Sequence, residues 1–281
     1  MGGSALGQTR QTATEHGILA TGERAFDIER VPPSPSLAPL VERHWLVRWD
    51  LPPGRHATVE LLPHPCVNLF FTGGDVMVAG VGRELFVYPL AGRGTVFGVK
   101  FRPGGFHPFL RGPVSAITDR NVPLAALWGG ADAARMARDL AAAGDDTRAL
   151  VSAAEAHLAA HWPPPDPEVD LVCRIVEALL RDRAITRVDD VTARFGLSAR
   201  TLQRLFQRYV GVTPKWVLKR YRLHEAAARL AADPDGTWAE VAADLGYFDQ
   251  SHFTRDFTRA VGLTPTAYAE AARQHRAPVP A

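Results

Sequence analysis

The chain has 281 residues, is 46% hydrophobic and 22% charged, and holds no apolar run of membrane-spanning length. It reads as a globular protein with room for two cores, and no membrane partner is expected. A formal net charge of +2 is too small on its own to mark a nucleic-acid binder. The two cysteines, Cys66 and Cys173, are over a hundred residues apart. This spacing favours buried thiols in a reducing cytoplasm over a disulfide framework.

Residues 1–35 are rich in Gly, Ser, Thr and Pro, contain no secretory pattern, and read as a disordered leader. A β-rich unit is expected over residues 36–165. Val59–Leu62, Val67–Thr72, Asp75–Ala79, Glu84–Tyr88 and Thr95–Phe101 are Val-, Phe- and Leu-rich runs separated by Gly and Pro turns. Gly73-Gly74-Asp75 is a tight-turn signal between two of them. Strands this short and this close predict an antiparallel sandwich or barrel. Two Ala-rich helices follow, over 131–143 and 148–161.

Within this unit Trp45, Trp49, Phe70, Phe97 and Phe101 are candidates to line a small-molecule effector pocket, with an ordinary aromatic core as the alternative. His44, His56, His64, His107 and Cys66 are scattered, without the His-x-His spacing of a metal-holding barrel. No metal, cofactor, phosphate loop or nucleophilic triad is expected, and the chain does not read as an enzyme. Trp162-Pro163-Pro164-Pro165-Asp166-Pro167 cannot continue a helix. A linker helix over 166–183 is expected after it, then a helical unit over 184–272 and a frayed tail over 273–281.

The helical unit carries a degenerate repeat. Gly196, Ser198, Leu202, Phe206, Gly211, Thr213 and Pro214 recur as Gly246, Asp249, Phe253, Phe257, Gly262, Thr264 and Pro265. The offset is 50 residues up to Gly246 and 51 from Asp249 on, so Phe248 is one extra turn residue. In each copy a Gly ends a short helix and a polar residue caps the next, the pattern of a helix-turn-helix. Charge gathers here: from residue 184 onward there are 14 Lys/Arg against 10 Asp/Glu.

On the second helix of the first copy, Leu202, Leu205, Phe206 and Tyr209 form an apolar stripe, leaving Arg200, Gln203 and Arg204 outward. The second copy turns Gln250, Ser251, His252 and Arg255 outward. Arg suits guanine and Gln suits adenine in the major groove. These seven are the candidate base readers; Lys215, Lys219, Arg220 and Thr254 are candidate phosphate contacts. A continuous helix over 216–232 separates the heads, roughly 24 Å long at 1.5 Å per residue.

The motifs Ser198-x-Arg200-x-Leu202-x-Arg204-x-Phe206, Gly211-x-Thr213-Pro214, Arg222-Leu223-x-x-Ala226, Gly246-Tyr247, Ser251-x-Phe253-x-Arg255-x-Phe257 and Gly262-x-Thr264-Pro265 resemble those of the AraC/XylS family of bacterial transcription regulators. The resemblance covers about residues 184–270. It implies two helix-turn-helix subdomains joined by a helix and entering adjacent major-groove segments of double-stranded DNA. It also implies an N-terminal effector or dimerisation domain, often a cupin-like barrel. The expected fold is therefore α+β and two-domain. RNA polymerase, a small-molecule effector and a second copy of the chain are the further candidate partners. The competing reading is an enzyme, or a metal- or thiol-responsive protein, whose helical half only docks.

Overall fold

The computed structural model describes residues 17–19, 25–236 and 238–276. Its N-terminal half is built on eight strands: β1 (Asp27–Val31), β2 (Val41–Asp50), β3 (His56–Leu61), β4 (Asn68–Thr72), β5 (Asp75–Ala79), β6 (Phe86–Ala91), β7 (Arg93–Phe101) and β8 (Asn121–Pro123). Six pair in the order β1-β2-β7-β4-β5-β8, and β3 with β6 forms a separate two-stranded ribbon. The β4–β5 hairpin turns at Gly73 and Gly74, whose φ angles of 59° and 92° suit two consecutive left-handed positions only glycine takes at no cost.

Three strands, β1, β2 and β8, lie outside the runs read from the sequence. The stretch expected to be a disordered leader contains β1, which pairs with β2 in register from Asp27–Arg48 to Val31–His44. Upstream, Ile18 bridges to Leu61 and Leu19 is buried; residues 1–16 and 20–24 lie outside the described residues. Backbone groups supply these bonds, so a composition rich in small and polar residues does not preclude them.

The five aromatic residues proposed to line one pocket fall on opposite faces of the sheet. Trp45 and Trp49 of β2 pair with Gly98 and Gly94 of β7, and Phe70 of β4 also opposes Gly98. The glycines make room for indoles, since a Cβ at Gly98 would fall 2.2 Å from the Trp45 ring. Phe97 and Phe101 point the other way and are buried. Phe101 packs on Phe106 and Phe109 with ring centroids 4.9 and 5.6 Å apart. Side chains alternate faces along a strand, so Phe97 and Phe101 are corrected to core residues. Trp45, Trp49 and Phe70 stay together, half-buried, with Tyr88 of the ribbon set edge-on to Trp49.

Helices follow: α1 (Ala125–Trp128), α2 (Gly130–Ala143), α3 (Thr147–Ala160) and α4 (Pro167–Arg181). Asp146 caps α3 and Asp166 caps α4, which has Pro at its first position. The C-terminal half is all helix: α5 (Val188–Phe195), α6 (Ala199–Leu205) running into a π turn at Phe206–Val210, α7 (Pro214–Ala232), α8 (Trp238–Asp244), α9 (Gln250–Val261) and α10 (Pro265–Arg276). Among the described residues no helix is long and apolar enough to cross a membrane.

The buried core does not divide at the Pro-rich segment 163–167. One continuous set of buried residues runs from Leu46, Phe97 and Phe101 through Met136 and Leu158 to Val172 and Leu179 of α4. It continues into Leu202, Leu205, Phe206 and Tyr209 of the first repeat. A second set gathers Leu223, Leu230, Val241, Phe253, Phe257 and Tyr268 around the second repeat. The first repeat is thus built onto the core of the β-rich half, while the second has a separate core to which Leu19 and Leu62 also contribute.

Candidate nucleic-acid interface

Each repeat folds as its punctuation directs. Gly196 closes α5 with φ 63°, and Ser198 Oγ accepts the Thr201 backbone N–H at 3.1 Å to open α6. In the second copy Gly246 has φ 73°, and Asp249 Oδ1 accepts the His252 N–H at 2.7 Å to open α9. The Thr-Pro pairs start the helices that leave each repeat. Thr213 caps α7 through Trp216 N–H at 3.2 Å, and Thr264 accepts from Ala267 N–H at 3.1 Å at the start of α10. Pro at the first helical position loses nothing, because that N–H has no intrahelical partner.

The apolar stripes are buried as expected: Leu202, Leu205, Phe206 and Tyr209 in the first copy, Phe253 and Phe257 in the second. Arg200, Gln203 and Arg204 are exposed on α6, and Gln250, Ser251, His252 and Arg255 are exposed on α9. Between them α7 begins at Pro214 rather than Trp216 and has 19 residues, roughly 28 Å of helix.

The candidate phosphate contacts fare differently. Lys215 is exposed and Thr254 is half-buried. Lys219 Nζ lies 2.5 Å from Asp256 Oδ1, and the same carboxylate is 3.3 Å from His252 Nε2, tying α7 to α9. Arg220 is not a surface cation. It is 4% exposed, its guanidinium lies 4.5 Å over the Trp216 ring, and it donates to the Arg83 backbone carbonyl. Burial lowers its pKa to about 10. It fastens α7 to the β-rich half, and its assignment as a phosphate contact is corrected on that ground. Burial of this kind depends on which surface α7 meets, and a run of basic residues does not encode it.

An acidic contact that no local sequence signal announces sits on α6. Arg204 Nη2 lies 3.1 Å from Glu168 Oε1 at the start of α4. The Tyr209 hydroxyl lies 2.8 Å from Glu168 Oε2 and 2.9 Å from Asp166 Oδ2, donating to one carboxylate at a time. Tyr209 and Arg204 hold the Glu168 carboxyl below its ordinary range. Beyond them Arg208 Nε faces His107 Nε2 at 3.3 Å, and the Thr118 hydroxyl donates to the Gly211 carbonyl at 2.7 Å. A cleft of about 440 Å³ remains between the 107–115 segment and the helix, bordered by Ser115, Arg204, Gln207 and Arg208.

Two histidines meet where α7 crosses the β-rich half. His64 and His224 stack with ring centroids 4.0 Å apart. Burial drives His224 down to about 3, and His64 well below its ordinary value. Cys66 and Cys173 are free thiols, each pushed up to about 11 by burial. Among the described residues no group of three or more His, Cys, Asp or Glu is placed to hold a metal ion.

Comparison with known proteins matches residues 191–271 to the family described as "Helix-turn-helix domain". Residues 29–123 match one described as "Domain of unknown function". The chain is 38% identical over 97 residues to "Transcriptional activator NphR" of Rhodococcus sp, 34% of this chain and 28% of that one. It is 38% identical over 72 residues to "HTH-type transcriptional activator RhaS" of Pectobacterium carotovorum, 26% of this chain and 25% of that one. It spans about a quarter of the length of these two curated relatives. Among solved structures, ToxT of Vibrio cholerae aligns with 88% of this chain and 97% of its own at 8% identity, with a TM-score of 0.39.

Proposed function

We propose, from a C-terminal domain that is of the AraC/XylS helix-turn-helix type, that the chain is a sequence-specific, double-stranded-DNA-binding transcription regulator. The observation that carries this reading is the twofold recurrence of one device. In each copy a left-handed Gly and a polar cap aim the exposed start of a helix outward. Recognition helices α6 and α9 enter adjacent major-groove segments, with α7 setting the distance between them. Arg200, Gln203 and Arg204 read one segment; Gln250, Ser251, His252 and Arg255 read the other. Lys215, Lys219 and Thr254 hold phosphates, with Lys219 exchanging Asp256 for the backbone.

Because the two heads differ in sequence, one chain reads a non-palindromic site, and a second copy is not required for recognition. The β-rich half is the regulatory half, with Trp45, Trp49 and Phe70 bordering the surface for a small apolar effector. The protein works in the cytoplasm, where promoter DNA and RNA polymerase are reached.

Selection of bound fragments from a random DNA library with the full chain tests the reading. An enriched asymmetric motif supports it. A library that returns no motif, with binding as weak for selected as for random DNA, contradicts it.

A further inference from the structure

The extra residue in the second turn is the one feature of the repeat that helix-turn-helix geometry leaves unused. In the first copy a single residue, Leu197, separates Gly196 from its cap, whereas in the second Tyr247 and Phe248 separate Gly246 from Asp249. Tyr247 takes the inward place: its ring lies edge-on to Phe253 with centroids 5.1 Å apart. Phe248 is left 98% exposed. Its backbone is nonetheless fixed, because Gly246 N–H and Tyr247 N–H bond back to Ala243 and Ala242 and Asp249 caps α9.

Among the described residues from 184 on, Phe248 is the one exposed large hydrophobic side chain. A protein-docking patch needs contiguous apolar surface. Here the sequence neighbours Asp249, Gln250 and Ser251 are polar and exposed. An isolated ring at the mouth of a recognition helix fits a small apolar target on an otherwise polar wall. The major-groove edge of DNA offers one such target, the C5 methyl of thymine.

We propose that Phe248 is a specificity-determining residue that packs against a thymine methyl in the segment read by α9. The inference rests on the DNA-reading function above and adds a base preference to it. The first head, with no counterpart to Phe248, has no such contact.

The test uses the site enriched by the full chain. Each thymine is replaced singly by deoxyuridine, which removes only the methyl, and binding is measured by fluorescence anisotropy for the parent and for Phe248→Ala. At one position in the α9 block, uracil weakens the parent about fourfold, the loss of one methyl contact. The same replacement leaves Phe248→Ala unchanged. Circular dichroism melting of Phe248→Ala checks that the exposed position leaves the fold intact, and Phe248→Leu retains part of the uracil penalty. A parent insensitive to uracil at every position overturns the inference and leaves DNA reading standing. So does a Phe248→Ala protein with the parent's full penalty. Failure to enrich any motif overturns both.

Discussion

The Arg204 guanidinium lies 3.1 Å from the Glu168 carboxylate, so a residue on the exposed face of α6 is already engaged by α4, the helix that connects the two halves. A guanidinium fork bonded to a carboxylate is not free to bond guanine with the same donors. Both side chains are partly exposed, at 54% and 35%, so releasing the pair costs at most about 1 kcal/mol. Glu168→Gln is therefore expected to tighten binding to the selected site, by up to roughly fivefold. In an Arg204→Ala background the same change should have no effect. Anisotropy titrations of the four proteins provide the cycle.

Base readers and phosphate contacts separate by their selectivity. Arg204→Ala should cost about 1–3 kcal/mol on the selected site and relax preference at one base pair. Lys215→Ala should weaken all sequences alike and reduce the slope of log affinity against log salt by about one. An unchanged selected motif for Arg204→Ala would remove it from the reading face.

Arg220 behaves as an interior residue despite its charge. Its side chain spans Trp216 and the Arg83 carbonyl, so removing it leaves a buried acceptor without its donor. Arg220→Gln is expected to lower the melting temperature by a few degrees with the salt slope unchanged. A loss of salt slope without loss of stability would return Arg220 to the DNA surface.

The His64–His224 stack makes the junction acid-sensitive. Both pKa values are depressed by burial, His224 to about 3, against an ordinary value near 6.5. Below about pH 6.5 the unfolded chain binds protons that the folded chain refuses, so stability falls as pH falls. Above that pH the contribution is present in full. The slope is at most about 1.4 kcal/mol per pH unit for each histidine. Melting temperatures from pH 8 to 5 should fall on acidification, and less steeply for His224→Phe, which keeps a ring in the stack.

The helical half was legible because its signals are local. Gly196, Ser198, Gly246 and Asp249 act on their own or the next turn, and the stripe of Leu202, Leu205 and Phe206 repeats at helical spacing. In the β-rich half the hairpin at Gly73-Gly74 was legible for the same reason. What escaped were facts about partners. Strand β1 exists because β2 lies beside it. Nothing in the sequence separates Phe97 and Phe101 from Trp45, because residue type does not tell which face of a sheet is the core. Arg220 has basic neighbours in sequence, which suggest a surface cation, while its neighbours in space are Trp216 and Arg83. Glu168, some thirty residues upstream of the reading helix, gave no signal of its contact with Arg204.

The central claim is that one chain reads two adjacent major-groove segments through α6 and α9. Methylation interference at guanine N7 on the selected site tests it most directly, because N7 lies in the major groove. Two blocks of interference are expected, centred about one helical turn, 10–10.5 base pairs, apart, for one chain bound per site. A single block, or interference that appears only with two chains bound, would contradict the account.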